Sequence, residues 1–307
     1  MKKLALINIL SLLGIVLYSQ SYSTPFKIEK DTIIELEVSK YKYDSQNLDM
    51  KSLEQRTSIF AEFSIGKNIR RLIWKVGETN AYLNNEMIVL DSTMYEFINM
   101  FKDFHLEFEL SKDGKLNSLN NYDDLKIALL DKIKMIQNIG KDISGDELFQ
   151  LNEMFSKLIS SDDALLGMFF PEAKIYFEMF DKTYKIDENI ETTFDSRFSI
   201  FNKSGISMKK TSKVVLAKEN FFTIINHTEP VDVEIDELII DMQNNIENLG
   251  GKEFENSDEN DIELTLFFDE QYEYSINDGL FEYIEINKFL DVGEGMTYQD
   301  WIIKLKE

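Results

Sequence analysis

Polar and apolar side chains alternate one by one along most of this chain, and that period constrains the fold more than any other feature. Successive side chains of a β-strand point to opposite sides of the sheet, so alternation predicts a strand with one covered and one wet face. In the first such segment, Ile34, Leu36 and Val38 alternate with glutamates. The same period recurs at 59–65, 72–76, 106–110, 194–200, 262–268 and 301–305.

Glycine-containing turns separate several of these segments. Asp113 followed by Gly114 is a strong hairpin signal, and the run from Asn277 to Gly279 is another. Residues 206–216 and 220–227 are two further segments with strand-like sequence, joined by a short polar link, and they predict a second hairpin. We therefore expect hairpins, and with them an antiparallel sheet.

The period changes to three and four residues in three places, which predicts amphipathic helices. The first helix is expected to begin after Asn121, a suitable N-cap, and to end at Gly140. The second begins at Asp146, and the third covers 235–249 and stops at Gly250. Segregated strands and helices predict an α+β fold. Its form would be a large curved antiparallel sheet, similar to an open half-barrel, with a few amphipathic helices packed on one face.

Large apolar side chains are concentrated at 165–180, on both sides of Pro171. A proline inside a helix costs about 3 kcal/mol, so we predict a short helix up to Gly167, a break, and then an extended segment. Methionine and phenylalanine make adaptable apolar surfaces, although large apolar residues are most often simply buried in a core. The residues expected to line or gate an apolar site are Met168, Phe169, Phe170, Phe177 and Phe180.

The N-terminal end has the three-part pattern of a secretory signal peptide. Two lysines precede the apolar run 4–18, and Ser21 and Ser23 are small residues that suit a signal peptidase. The apolar run is shorter than the roughly 20 residues that cross a bilayer. We therefore expect residues 1–23 to be removed on export, no transmembrane segment to remain, and a periplasmic or extracellular location.

Residues 24–307 are expected to form one α+β domain. The chain contains no cysteine, so the hydrophobic core alone must stabilise it, and a domain of this length can bury enough surface to do so. Residues 24–160 and 161–307 each contain hairpins and an amphipathic helix. Two similar halves are therefore an open alternative.

Charge and motif content exclude several function classes. The formal charge of −23 repels nucleic acid, so we expect no nucleic-acid partner and a soluble monomer. His105 and His227 are the only histidines, which excludes zinc-type ligand spacing, and the acidic run 256–261 lacks the glycine and glutamate of an EF-hand. We predict no metal, no cofactor and no assignable catalytic residue, although 56 acidic residues leave an acid-type hydrolase open.

Several segments resemble those of exported, β-rich bacterial domains of unknown function. They are the first strand at 32–43, the turn at 113–116, the helix entry at 119–125, the run 170–172 and the late hairpin at 274–280. The layout also resembles the open half-barrel of lipoprotein carriers. That resemblance implies a curved antiparallel sheet that wraps helices around a lipid cavity, and it transfers no functional residue.

Three hypotheses about function follow. The first is a non-enzymatic binding or carrier protein of the bacterial envelope, with a lipid or another apolar ligand, and one-sided strands and the surplus of phenylalanine and methionine favour it. The second is an interaction or structural subunit of a cell-surface assembly with a protein partner, which predicts an exposed apolar patch. The third is an acid-type hydrolase, which predicts two facing carboxylates in a cleft.

Overall fold

The computed structural model describes residues 21–44, 47–67, 69–83, 85–139, 161–186, 188–196, 206–231, 265–291 and 296–306. Within these ranges, the structure does not describe the side chains of some residues, which include Met168. The predicted helices at Asp146 and 235–249, and the acidic run 256–261, also lie outside the described residues.

The described strands and helices have the following bounds. The strands are β1 (Ser21–Ser23), β2 (Thr32–Asp44), β3 (Asn47–Ile65), β4 (Arg70–Leu83), β5 (Glu86–Met87), β6 (His105–Leu110), β7 (Leu116–Leu119), β8 (Thr183–Lys185), β9 (Ile190–Ser196), β10 (Ile206–Ala217), β11 (Phe221–Pro230), β12 (Thr265–Ser275), β13 (Leu280–Asp291) and β14 (Met296–Leu305). The helices are α1 (Ser92–Ile98), α2 (Tyr122–Ile139), α3 (Asp162–Phe169) and α4 (Pro171–Glu178).

Twelve of these strands form one antiparallel sheet, which confirms the predicted α+β class. The strand order is β7-β6-β4-β3-β2-β14-β13-β12-β11-β10-β9, and β5 pairs with β4. The sheet is curved and open, with β7 and β9 at its two edges. Its middle is the pairing of β2 with β14, in which Val38 lies opposite Ile303. The first long strand and the last strand therefore join the two halves of the chain into a single sheet.

The predicted alternation defines the face of the sheet that is buried, here called the core face. Leu36, Ile59, Leu72 and Trp74 on β2, β3 and β4 have no exposed surface, while their sequence neighbours point to the other side. Helix α4 packs on this face, where the ring of Phe177 lies 6.0 Å from that of Trp74. Burial of these large side chains supplies most of the favourable free energy of folding.

The segment after Pro171 is helical, so the predicted extended conformation was wrong. The break itself is real: α3 ends at Phe169 and α4 begins at Pro171. Proline is well tolerated at the first position of a helix, because the N–H that it lacks would have no partner in the helix. Ser161 caps α3 by accepting a hydrogen bond from the Ala164 N–H at 3.2 Å. Both helices then place apolar residues against the core face.

An N-terminal strap, residues 21–28, closes over one end of the core. Its first three residues, which the sequence assigned to the signal peptide, pair with β8. Thr24 is fully buried and donates a hydrogen bond to the Met179 carbonyl at 2.6 Å. The β6–β7 turn meets the strap at Gly114, where φ is 83° and an added Cβ would lie 2.5 Å from the Cβ of Phe26. Glycine is therefore required at that turn both for its backbone and for its small size.

Candidate functional site

A cleft of about 690 Å³ lies between the β6–β7 hairpin and helices α3 and α4. Its floor is apolar and includes Phe108, Leu119, Leu166 and Phe177. Phe108 and Leu119 lie directly opposite each other in the hairpin, while Leu166 and Phe177 come from the two helices. Two short strands and two helices that are joined at Pro171 thus bring these four side chains together.

Charged side chains surround the apolar floor. Lys174 pairs with Asp163 at 3.0 Å across the two helices, and Lys115 pairs with Asp181 at 2.8 Å. Asp162, the first residue of α3, accepts a hydrogen bond from the Leu119 N–H at 3.4 Å. The cleft therefore combines an apolar base with a rim of polar and charged groups.

Glu178 connects this cleft to a partly buried ionic cluster on the C-terminal half of the core face. It lines the cleft, and its carboxylate lies 3.1 Å from the ammonium of Lys210. Lys210 also contacts Glu270 at 2.8 Å, and Asn226 donates a hydrogen bond to the same Glu270 carboxylate at 2.8 Å. Lys210, Asn226 and Glu270 come from β10, β11 and β12, which are adjacent in the sheet. The ammonium of Lys182 lies 4.0 Å from the carboxylate of Glu178. The ionic cluster is defined here as Glu178, Lys182, Lys210, Asn226 and Glu270.

Within the cluster, Lys210 and Glu178 favour each other's charged forms. Burial acts to lower the pKa of Lys210, but the carboxylates of Glu270 and Glu178 outweigh it, and the pKa is raised. Burial acts to raise the pKa of Glu178, but Lys210 and Lys182 outweigh it, and that pKa is lowered. A general acid needs a raised carboxyl pKa, so Glu178 has the opposite of the property that an acid-type hydrolase requires.

A second ionic contact fixes the other end of α4. Glu172 is buried and pairs with Lys40 of β2 at 3.3 Å. The ammonium groups of Lys40 and Lys288 lie 4.6 and 4.1 Å from the ring centre of Trp301, which is within cation–π range. Burial lowers the pKa of Lys288, while Glu270 acts against that effect. Helix α4 is thus held to the core face by a carboxylate at each end.

The five residues predicted to line an apolar site do not all reach the cleft. Phe170, Phe177 and Phe180 are buried in the core, and Phe169 is partly buried against it. Of these, Phe177 lines the cleft, and the side chain of Met168 lies outside the description. A role in binding a ligand therefore stays a prediction for this set.

The two histidines lie on exposed parts of the sheet. His227 is within hydrogen-bond distance of Asp269, 2.6 Å away, and His105 lies 3.6 Å from Glu107. Within the described ranges, no group of three or more histidine, aspartate or glutamate side chains is arranged to hold a metal ion. In the same part of the chain, no helix is both long and apolar enough to cross a membrane.

The ionic cluster was missed at the sequence level, although the strands carry a signal for it. Phe222, Ile224 and Asn226 share one face of β11, so the amide falls in an apolar register. Lys210 likewise follows Met208 on the buried face of β10. A polar residue in the buried register of a strand is the pattern that could have identified these positions.

Comparisons with known proteins give a weak structural likeness and no match at the level of sequence. No protein-family model matches the chain, and no curated protein matches it. Among solved structures, the chain is similar to a lipovitellin whose title reads "lipid-protein interactions in lipovitellin", with 8% sequence identity and a TM-score of 0.43. The alignment covers 92% of this chain and 25% of that one, so the chain spans about a quarter of the length of lipovitellin.

Proposed function

We propose that this chain is a non-enzymatic binding or carrier protein for a ligand with an apolar body. The observation that carries the proposal is the cleft, whose floor is formed by Phe108, Leu119, Leu166 and Phe177. Its volume of about 690 Å³ lies within the roughly 300–1,000 Å³ of known small-molecule sites. An apolar floor with a charged rim suits an amphipathic molecule, because the floor removes its apolar part from water while the rim stays solvated.

The proposed place of action is the bacterial envelope. The predicted signal peptide at residues 1–23 supports an exported protein, and because the chain contains no cysteine, that protein depends on its core for stability. The net charge of −23 supports a soluble carrier that does not adhere to anionic membrane surfaces. Fractionation of cells that express the full chain would test this part, and a protein that stays in the cytoplasm with residues 1–23 intact would refute it.

A fluorescent apolar probe tests the binding proposal. N-phenyl-1-naphthylamine is neutral and fluoresces when it enters an apolar site, so titration with the purified protein gives a dissociation constant. Asn117 lines the cleft, and its side chain is exposed, so Asn117→Trp puts a large side chain into the opening with little effect on the core. We expect this variant to bind the probe about ten-fold more weakly.

Thr192→Trp is the matched control. Thr192 is exposed on β9, at the opposite edge of the sheet, so the same new side chain is added away from the cleft. The dissociation constant of this variant for the probe should lie within about two-fold of that of the original protein. If the original protein does not bind the probe, or if both tryptophan variants bind it equally well, the cleft is not the binding site and the proposal fails.

A second candidate function, the interaction subunit, is favoured by exposed apolar side chains around α1. Val89 is 92% exposed and Met87 is 62% exposed, while Met94 and Phe97 on α1 are each about half exposed. Exposed apolar groups of this kind often mark contact surfaces. Sedimentation velocity at rising protein concentration would test self-association through this region. Association that Val89→Asp abolishes would support the second function, and a monomer at every concentration would contradict it.

A further inference from the structure

The outer face, which is the side of the sheet opposite the core face, carries a row of aromatic side chains. Five adjacent strands contribute one residue each, and the aromatic row is defined here as Tyr43, Tyr298, Phe289, Phe267 and His227. The centres of successive rings lie 4.8, 6.3, 4.9 and 6.2 Å apart, which is the range of direct aromatic contact. The outer side of an antiparallel sheet is usually polar, so a continuous aromatic row there calls for an explanation.

The strand period places the row on the outer face. Phe289 lies an odd number of residues from Ile286, as Tyr298 does from Ile303, and both isoleucines are buried on the core face. Residues an odd number apart on a strand point to opposite sides of the sheet. Phe289 pairs with Phe267 on one side and with Tyr298 on the other. Every member of the row keeps part of its surface exposed, so the row is accessible to a partner.

Acidic side chains lie beside the rings on the same face. Asp269 and Asp300 flank Asn287 in the register of β12, β13 and β14, next to the aromatic row. Burial raises the pKa of Tyr298 to about 12, and these two carboxylates and that of Glu285 contribute to the rise. The three carboxylates therefore act on the middle of the row. Ring faces attract cations, and the adjacent negative charges strengthen that attraction.

The outer face already contains one guanidinium that contacts both a ring and a carboxylate. The guanidinium carbon of Arg56 lies 4.2 Å from the ring centre of Tyr82. The same group donates to the two carboxylate oxygens of Glu54 at 2.5 and 2.9 Å. Glu54 lies opposite Tyr41, which shares the outer face of β2 with Tyr43. Arginine suits such a position, because its planar group stacks on a ring and also pairs with a carboxylate in bidentate geometry.

We propose that the aromatic row binds a segment of a partner protein that presents arginine side chains. The row crosses five strands that are spaced about 4.8 Å apart, so it suits an extended segment with several arginines better than a single side chain. The formal charge of −23 favours a basic partner, and it repels nucleic acid, which also stacks on aromatic rows. The row and the cleft lie on opposite sides of the sheet, so this inference is independent of the proposed binding function.

Two peptides of equal charge test the inference on the unmodified protein. Fluorescein-labelled hexa-arginine and hexa-lysine are titrated with the protein in about 0.15 M salt, where attraction between charges beyond about 8 Å is screened. Fluorescence anisotropy then gives the two dissociation constants. We expect hexa-arginine to bind about ten-fold more tightly, because lysine has no planar group that stacks on the rings.

Three outcomes of this titration would overturn the inference. Equal binding of the two peptides would show a general attraction between charges, and binding of neither would show that the row does not accept arginine. If neither peptide binds and the protein self-associates in a way that Phe289→Thr abolishes, a second copy of the chain covers the row.

The variant Phe289→Thr removes the central ring and keeps a residue that suits a strand. We expect this variant to bind hexa-arginine about ten-fold more weakly, and hexa-lysine within about two-fold of the original protein. Phe60→Thr is the matched control, because Phe60 is 36% exposed on the outer face of β3, outside the row. Unchanged binding of hexa-arginine to Phe289→Thr, or equal losses in the two variants, would refute the assignment.

The variant Asp269→Asn tests the row by a change that keeps the shape of the side chain and removes one charge. We expect it to bind hexa-arginine about five-fold more weakly, and this test stays available if Phe289→Thr does not fold. Asp113→Asn, at the exposed β6–β7 turn, removes the same charge away from the row and should change the dissociation constant by less than about two-fold. Equal losses in these two variants would mean that the net charge of the protein, and not the row, attracts the peptide, and the inference would fail.

Discussion

The two halves of the core face are equally buried but chemically different. In the N-terminal half, the strands β2, β3, β4 and β6 present only apolar side chains at its centre, such as Leu36, Ile59, Trp74 and Leu106, each without exposed surface. In the C-terminal half, β10, β11 and β12 place Lys210 and Asn226 at positions that are nearly or fully buried. Apart from the contact of Lys40 with the buried Glu172 at one end of α4, the N-terminal half is an apolar core, while the C-terminal half buries several groups that are costly to remove from water.

This contrast raises the question of what the ionic cluster contributes to stability. A buried ion pair stabilises a fold weakly at best, because the loss of hydration offsets the attraction between the charges. Replacement of a buried ion pair by apolar residues of similar size is often neutral or stabilising. The centre of the N-terminal half shows that the same sheet can be built without such groups, so stability alone does not explain the ionic cluster.

The largest effect is expected in the apolar half. Phe63 of β3 is 2% exposed, and its ring packs 5.6 Å from that of Phe26 and 6.3 Å from that of Phe177. We expect Phe63→Ala to lower the free energy of unfolding by about 3–5 kcal/mol through lost contacts and a cavity. Urea denaturation followed by tryptophan fluorescence would measure it.

Phe60→Ala is the matched control on the same strand. Phe60 points to the opposite side of the sheet and is 36% exposed, so its removal should cost less than about 1.5 kcal/mol. Similar losses for the two variants would show that the two faces of β3 are equally important, which would contradict the assignment of the core face.

The fold was predicted from the sequence where one period dominates a segment. The β6–β7 and β12–β13 hairpins, the β10–β11 hairpin and the helix after Asn121 were predicted, because turn chemistry and side-chain period agree there. Residues 171–178 were assigned wrongly, since proline both breaks a helix and begins one. Helix α1 was also missed, because it is only seven residues long and too short for a clear three- and four-residue period.

The candidate site was much less predictable. Phe177 was chosen because aromatic residues crowd around Pro171, and it does line the cleft. Lys210, Asn226 and Glu270 are far apart in sequence, and only the strand order β10-β11-β12 brings them together. The hydrophobic pattern fixes which residues lie on a buried face, but the neighbours across strands depend on the pairing of the whole sheet.

A smaller effect should appear when the ionic cluster loses its central cation. Lys210→Met leaves the buried carboxylate of Glu270 without its ammonium partner, and we expect a loss of about 3 kcal/mol. The double variant Lys210→Met with Glu270→Gln removes both charges and still accepts the hydrogen bond from Asn226. It should therefore recover to within about 1 kcal/mol of the original protein. Chemical denaturation of the two single variants and the double variant gives the coupling energy.

Lys209→Met controls for the loss of a lysine from the same strand. Lys209 pairs with Glu191 at 2.9 Å and is partly exposed, so the denaturation midpoint should not change measurably. A double variant that is no more stable than Lys210→Met would show that the cluster does not act as an ion pair. The contrast between the two halves of the core face would then lose its energetic basis.

The smallest expected effect is a dependence of stability on pH that comes from Glu178. Because the pKa of Glu178 is lowered in the folded protein, its charge contributes stability above the ordinary glutamate pKa of about 4.3, and this contribution is lost as the pH falls through the lower folded value. Glu178→Gln should thus be less stable than the original protein at pH 7, and the difference should vanish in acid. Denaturation midpoints at pH 7, 5, 4 and 3 would measure it. The control is the same Glu178→Gln comparison made in the Lys210→Met variant. There the stability difference should depend little on pH, because the ammonium of Lys210 is the main cause that lowers the pKa of Glu178. If the stability difference depends on pH as strongly as before, groups outside the cluster lower the pKa of Glu178.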